Sequence, residues 1–314
     1  LGKEGPVVLG IYPRSYWQPT LEDALNNEFI PVDSWSGKKV SLAGIYHSFS
    51  QYDTVSYMLS TIWDQGYTPF VNIYSNLSIQ DIASGSIDNQ IRAWARNYLS
   101  FSNNGNRMAY LAPLQEMNGN WTPYGSSDSE HFKRAFQRVV TIFAQEGVPA
   151  SSVRWVFAPN GKSSTGWPSF EAYYPGDSFV DVIGFSSYNY GFNPNVYPES
   201  YRKWETPEKL FTEYVNRMRI MAPSKPIFIT QTGTTAYGPS GYNIEVKNQW
   251  LEDAYNLVST LGGVRGILYY NDVNKFDWAF YYSNNKFTGY QEGVISDLFQ
   301  YIPPGELVNM TLSP

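Results

Sequence analysis

Leu111-Ala112-Pro113-Leu114-Gln115-Glu116-Met117-Asn118-Gly119-Asn120-Trp121 reads as a short apolar strand that delivers one glutamate into a loop of amides and an aromatic ring. A lone carboxylate at the end of a buried strand costs free energy unless a partner or a reaction uses it. Similar apolar runs recur on both sides of this one. Val7 to Tyr12, Leu42 to Tyr46 and Tyr67 to Tyr74 precede it, and with it Met108 to Leu114 is the fourth. Val153 to Ala158, Val180 to Phe185, Pro226 to Thr230 and Val264 to Tyr270 complete a set of eight. Near-continuous hydrophobic runs of this length suit strands buried on both faces, and therefore parallel.

Helical patterns fill the gaps. Ser129 is placed to cap a helix over 130–146, with Phe132, Phe136, Val139, Val140 and Phe143 on one face and Gly147 at its end. Thr206-Pro207-Glu208 is a helix start with proline in the first turn. Helices also fit 54–65, 89–100 and 244–261. Strand and helix alternating eight times over this length predict an α/β fold, a single (β/α)8 TIM barrel, with residues 1–314 as one domain. An open doubly wound sheet is the alternative, but no G-x-G-x-x-G follows the first strand.

Composition narrows the chemistry. The 314 residues contain no Cys and only two His, His47 and His131, so thiol chemistry is excluded and histidine triads or zinc centres are disfavoured. No metal or cofactor is expected. A formal charge of −6 argues against nucleic acid or an anionic membrane as partner. No run of eighteen apolar residues occurs, so no membrane span is expected. The 10 Trp, 26 Tyr and 18 Phe exceed what a core needs, and part of them cluster with amides, as in Tyr188-Asn189-Tyr190-Gly191-Phe192-Asn193. Ring faces beside amide donors suit a neutral, hydroxyl-rich ligand, so a polysaccharide or oligosaccharide is the expected partner of a monomer. The chain opens at Leu1 without Met or an apolar leader, which suggests a trimmed mature protein; secretion is inferred from the substrate class. Asn76-Leu77-Ser78, Asn120-Trp121-Thr122 and Asn309-Met310-Thr311 match the glycosylation triplet and are taken as chance.

In a barrel the reactive groups lie at the carboxyl ends of the strands. Glu116 falls just past strand four, and Thr230-Gln231-Thr232-Gly233 is expected just past strand seven, across the barrel mouth. Two carboxylates there, roughly 5–5.5 Å apart, would make a retaining glycosidase.

Taken together, these segments resemble glycoside hydrolase family 26, a retaining (β/α)8 family with catalytic glutamates after strands four and seven. The similarity spans nearly the whole chain and is most specific in four places. Glu116-Met117-Asn118-Gly119-Asn120-Trp121 matches the acid/base motif. Tyr173-Tyr174-Pro175-Gly176-Asp177, Val180-Asp181-Val182-Ile183-Gly184 and Tyr188-Asn189 match the approach to strand six. Lys225-Pro226-Ile227-Phe228-Ile229-Thr230-Gln231-Thr232-Gly233 matches the nucleophile segment, and Asp277-Trp278 an aromatic platform. The resemblance implies Glu116 as acid/base, position 231 as nucleophile, and Tyr188 as the group orienting it. It implies sugar contacts for Trp121 and Trp278, with Asn160, Gln115, Asn118 and Tyr124 as further substrate-binding candidates.

Gln231 stands where the family has glutamate, and a neutral amide cannot serve as the nucleophile. Three readings follow: an engineered inactive variant, a natural carbohydrate-binding protein on a hydrolase scaffold, or a different mechanism such as inversion. The substrate is similarly open. Mannan-cleaving members usually have Arg and His where this chain has Ala112 and Gln115, and a Trp-His pair near Asn72-Ile73-Tyr74. β-1,4-Mannan leads by family frequency, mixed-linkage β-glucan (lichenan) follows, and β-1,3-xylan is a further option. His47 divides evenly between subsite and packing, and His131 is expected to be a structural or surface helix residue.

Overall fold

The computed structural model describes residues 5–14 and 20–314. Eight parallel strands form a closed barrel: β1 (Val8–Tyr12), β2 (Leu42–Ser48), β3 (Thr68–Tyr74), β4 (Ala109–Pro113), β5 (Val153–Phe157), β6 (Val182–Asn189), β7 (Ile227–Thr234) and β8 (Val264–Tyr270). Their order around the barrel is β1-β8-β7-β6-β5-β4-β3-β2. Leu9 pairs with Ile267 between β1 and β8, and Leu111 with Val71 and Trp155 between β4 and its two neighbours. The expected (β/α)8 architecture is therefore present, and the near-continuous burial along each strand is what parallel strands require.

One of the alternations fails. The segment between β5 and β6 holds only a short 3-10 turn, Phe170–Tyr173. The intervening chain carries Pro159, Gly161, Gly166, Pro168, Pro175 and Gly176, which deny a helix its donors and add backbone entropy. Elsewhere the helices fall where the periodicity places them: Val55–Asp64, Asp88–Ser102, Ser129–Gln145, Pro207–Met221 and Ile244–Val258. The cap of Ser129–Gln145 is Asp128 rather than Ser129, with its carboxylate accepting from His131 N at 3.0 Å. The same Asp128 meets the His131 ring at 2.5 Å, which makes His131 part of the helix cap.

The chain divides into two compact units. One comprises Ala43–Ser186 and Ile302–Thr311. Its core is aromatic: Trp94 stacks on Tyr98 at 6.0 Å, and Phe143 meets Trp155 edge-on at 4.9 Å. His47 is buried against Trp94 and bonds Gln51 O at 2.8 Å, which is packing geometry. Arg154 reaches Val308 O at 3.1 Å and holds the returning segment.

The other unit comprises Leu1–Leu42, Ser187–Tyr301 and Leu312–Pro314. Here Phe280 stacks on Tyr290 at 3.9 Å, with Trp35 stacked against both. Glu28, in the π-helical turn Leu25–Phe29, is only 4% exposed. Its Oε1 accepts from Arg14 N at 2.7 Å and Asn271 Nδ2 at 2.6 Å. Burial outweighs these donors and pushes its carboxyl up to about 8. A group that holds its proton more tightly when folded stabilises the fold fully below its unfolded pKa, near 4.5, and loses that contribution as pH rises towards 8. Glu28→Gln keeps an oxygen acceptor and cannot ionise. Urea unfolding at pH 5 and pH 9 should therefore show the unsubstituted chain losing ~3 kcal/mol more than the variant. Equal losses would mean that Glu28 is not buried as described.

Candidate active site

Glu116 sits in the turn that follows β4. Leu114 and Glu116 both take left-handed backbone conformations, with φ of 57° and 54°. Each costs on the order of 1–2 kcal/mol for a side chain with a Cβ. The turn is held from both flanks, by Leu114 N donating to Ile73 O at 2.7 Å and Glu116 N to Ala158 O at 2.8 Å. Strained non-glycine residues over-determined in this way concentrate at working sites.

The Glu116 carboxylate is gripped by two donors. Trp121 Nε1 donates to Oε2 at 2.6 Å, and Ser186 Oγ donates to Oε1 at 2.6 Å. Burial raises the carboxyl above the ordinary carboxylate range, with the Ser186 and Trp121 donors opposing. Ser186 Oγ also lies 3.1 Å from Asn160 Oδ1. A hydroxyl has one proton, so it donates to Glu116 when the carboxylate is ionised. When Glu116 carries a proton, Ser186 can accept from it and turn its own proton to Asn160. The pair thus satisfies both protonation states, which is what a residue that gives and takes a proton needs.

Trp121 is 53% exposed and lies back across Gly119. A Cβ at Gly119 would fall 2.3 Å from the indole, so only glycine leaves room for the ring to reach Glu116. Trp121→Phe keeps a ring and removes the N–H. Loss of a donor to the ionised form should raise the Glu116 pKa further. In the Gln231→Glu background, the alkaline limb of the pH–rate profile should move to higher pH; an unmoved limb would show that the bond does not act on Glu116.

The neighbouring expected sugar contacts divide by burial. Asn118 is fully buried, with Nδ2 donating to Asn160 O at 2.8 Å and Ser163 Oγ at 2.9 Å while Oδ1 accepts from Asn160 N at 2.9 Å. Tyr124 is 1% exposed and donates to Gln115 O at 2.8 Å. Both brace the loop. Asn160 is partly exposed, with Nδ2 donating to Lys162 O at 2.6 Å. Gln115 is buried with its Oε1 unpartnered, a polar atom that a ligand or water would satisfy.

A second constellation surrounds Gln231. This residue lies within β7, which continues to Thr234, and not beyond the strand's end as the polar run suggested. The extension is held by Thr232 Oγ1 donating to Ser187 O at 2.8 Å and by Tyr269 OH accepting from Thr234 N at 3.1 Å. Gln231 is 4% exposed, and its Oε1 accepts from Tyr188 OH at 2.7 Å. Tyr188 packs on Trp278 at 4.9 Å.

Trp278 is itself 4% exposed, so the expected platform is buried and backs other rings. Its segment is clamped from two sides. Asp277 accepts from Thr235 Oγ1 at 2.5 Å, Ala236 N at 2.8 Å and Asn193 Nδ2 at 2.9 Å. Lys247 Nζ, on helix Ile244–Val258, donates to the carbonyls of Asp277, Trp278 (3.0 Å) and Ala279 (3.1 Å). Burial brings this ammonium down to about 7, opposed by Asp277. Ser186 and Lys247 were not legible as site residues. The only trace of Ser186 is a small polar residue in an apolar strand two positions before Tyr188, and a helix-pattern lysine normally reads as solvated. Among the described residues, no three His, Asp or Glu side chains group as a metal would require.

Residues 70–219 match the model of glycosyl hydrolase family 26. Endoglucanase H of Acetivibrio thermocellus is 26% identical over 221 residues, 68% of this chain. That match occupies 23% of the relative, so this chain spans about a quarter of its length. Among solved structures, a modular endo-β-1,4-mannanase from Cellulomonas fimi aligns with a TM-score of 0.70 at 12% identity, covering 98% of this chain and 75% of that one. A β-mannanase from a symbiotic protist of the termite Reticulitermes speratus, complexed with gluco-manno-oligosaccharide, aligns at 0.64 and 15% identity, covering 98% and 91%. Identities this low establish a common fold.

Proposed function

We propose that this chain is a glycoside hydrolase of family 26 type, built for retaining endo-hydrolysis of a neutral β-linked polysaccharide, with Glu116 as acid/base and position 231 as the nucleophile's seat. The observation that carries the reading is the Glu116 carboxyl, raised by burial, held by Trp121 and Ser186, and placed after β4 in a family-matching segment. β6 supplies Ser186 to Glu116 and, two residues on, Tyr188 to position 231. In the double displacement, protonated Glu116 gives its proton to the leaving glycosidic oxygen while a carboxylate at 231 attacks the anomeric carbon. Ionised Glu116 then takes a proton from the water that releases the sugar. Tyr188 OH, donating at 2.7 Å, orients the attacking oxygen. With glutamine at 231 the first displacement has no nucleophile, so the chain holds intact substrate without turning it over.

The substrate class rests on the relatives, one named an endoglucanase and others mannanases. β-1,4-Mannan is placed first, mixed-linkage β-glucan second and β-1,3-xylan third. The whole chain then works as one secreted, monomeric catalytic domain. The test is reducing-sugar release by Gln231→Glu on mannan, lichenan and β-1,3-xylan. Release from one of them names the substrate, and silence on all of them favours a carbohydrate-binding role.

A further inference from the structure

The buried Trp278 leaves open which ring a sugar meets on its side of the site. Tyr190 follows Tyr188 by two residues, so strand alternation carries both side chains to one face. Tyr188 turns in to Gln231, and Tyr190, one residue past the end of β6, is 42% exposed. Its ring is nonetheless fixed. It meets Trp278 at 5.0 Å and 79°, Phe276 at 5.1 Å and 82°, and Tyr188 at 6.0 Å. Phe276 and Trp278 are in turn 5.2 Å apart. Scattered exposed tyrosines need no explanation. One that touches three rings, beside the residue that holds position 231, is braced and still 42% exposed.

The loop beyond it is also anchored. Gly191 pairs with Lys203, and a Cβ at Gly191 would fall 2.5 Å from Tyr237 O, so the chain must leave Tyr190 through a glycine. Asn193 Nδ2 holds Asp277, and Asn195 Nδ2 holds Lys275 O at 2.6 Å, tying the loop to the segment that carries Phe276. From this anchored loop Tyr197 and Tyr201 stand 74% and 67% exposed.

We propose that Tyr190, backed by Phe276 and Trp278, is the sugar-stacking face of this site, and that its loop serves a stretch of neutral polysaccharide rather than a single sugar. The inference rests on the glycosidase reading above. A fixed ring face suits the C–H face of a pyranose, and its ordering cost is already met in the free protein.

Calorimetric titration of the unsubstituted chain with manno- and cello-hexaose, and gel retardation in glucomannan and lichenan, measure binding without turnover. Tyr190→Ala should weaken the bound glycan about 10- to 100-fold, as loss of one buried aromatic face implies. Tyr190→Phe should restore binding, because the face and not the hydroxyl is used. Tyr57→Ala, an exposed ring on helix Val55–Asp64, should change nothing. Full affinity in Tyr190→Ala would overturn this inference alone. Failure of the unsubstituted chain to bind any of these glycans, or β-1,3-xylan in the same retardation gel, would overturn the glycosidase reading with it.

Discussion

Gln231→Glu is expected, on the proposed mechanism, to raise glycan hydrolysis on the order of 10⁴-fold or more, the scale on which loss of a nucleophile is felt. The substitution is isosteric, and the partner is already in place. Tyr188 OH donates to the Oε1 of residue 231 at 2.7 Å and would donate equally to a carboxylate. The restored charge enters a side chain only 4% exposed, so the variant should be less stable than the present chain at neutral pH, by ~1–3 kcal/mol. Gain of activity with loss of stability is the expected joint result in a reducing-sugar assay paired with thermal unfolding. Turnover near 10 s⁻¹, about the median for enzymes, by the unsubstituted chain would remove position 231 from the mechanism.

Glu116→Ala, made in the Gln231→Glu background, is the second large effect. General acid catalysis contributes roughly 10²–10⁴-fold, and that loss should appear in full on the polysaccharide, whose leaving sugar oxygen needs a proton. An activated aryl glycoside with a dinitrophenolate leaving group needs none, so its first step should survive and the intermediate accumulate. A burst of phenolate followed by slow steady state is the kinetic signature. The pH profile carries the same information. Burial raises the Glu116 pKa, so its acid form persists to higher pH than a solvated glutamate's, and the alkaline limb belongs to it. If Glu116→Ala left both substrates and the limb unchanged, Glu116 would be a structural carboxylate.

The sequence made the barrel legible because parallel strands buried on both faces leave an unmistakable pattern. All eight apolar runs became strands, and β8 kept its expected bounds of Val264–Tyr270. What it hid were places where polar residues join the ladder. Gln231 and Tyr188 lie inside β7 and β6, since Thr232 and Thr234 secure their bonds to Ser187 and Tyr269. The absence of a helix after β5 is marked by its prolines and glycines, which break the regular alternation of the other segments. Around the site, Glu116 and Trp121 could be picked by type and spacing. Which aromatic is exposed could not, because that depends on Lys247 and Asp277 drawing Trp278 inward and leaving Tyr190 outside.

The proposed retaining mechanism requires a carboxylate at position 231 to attack the anomeric carbon from the face opposite the leaving group. That claim is read most directly by proton NMR of the first sugar released by the Gln231→Glu form from a β-linked oligosaccharide, before mutarotation. Two displacements predict the β-anomer first. An α-anomer appearing first would mean single-displacement inversion, with residue 231 at most activating water, and would contradict the mechanism proposed here.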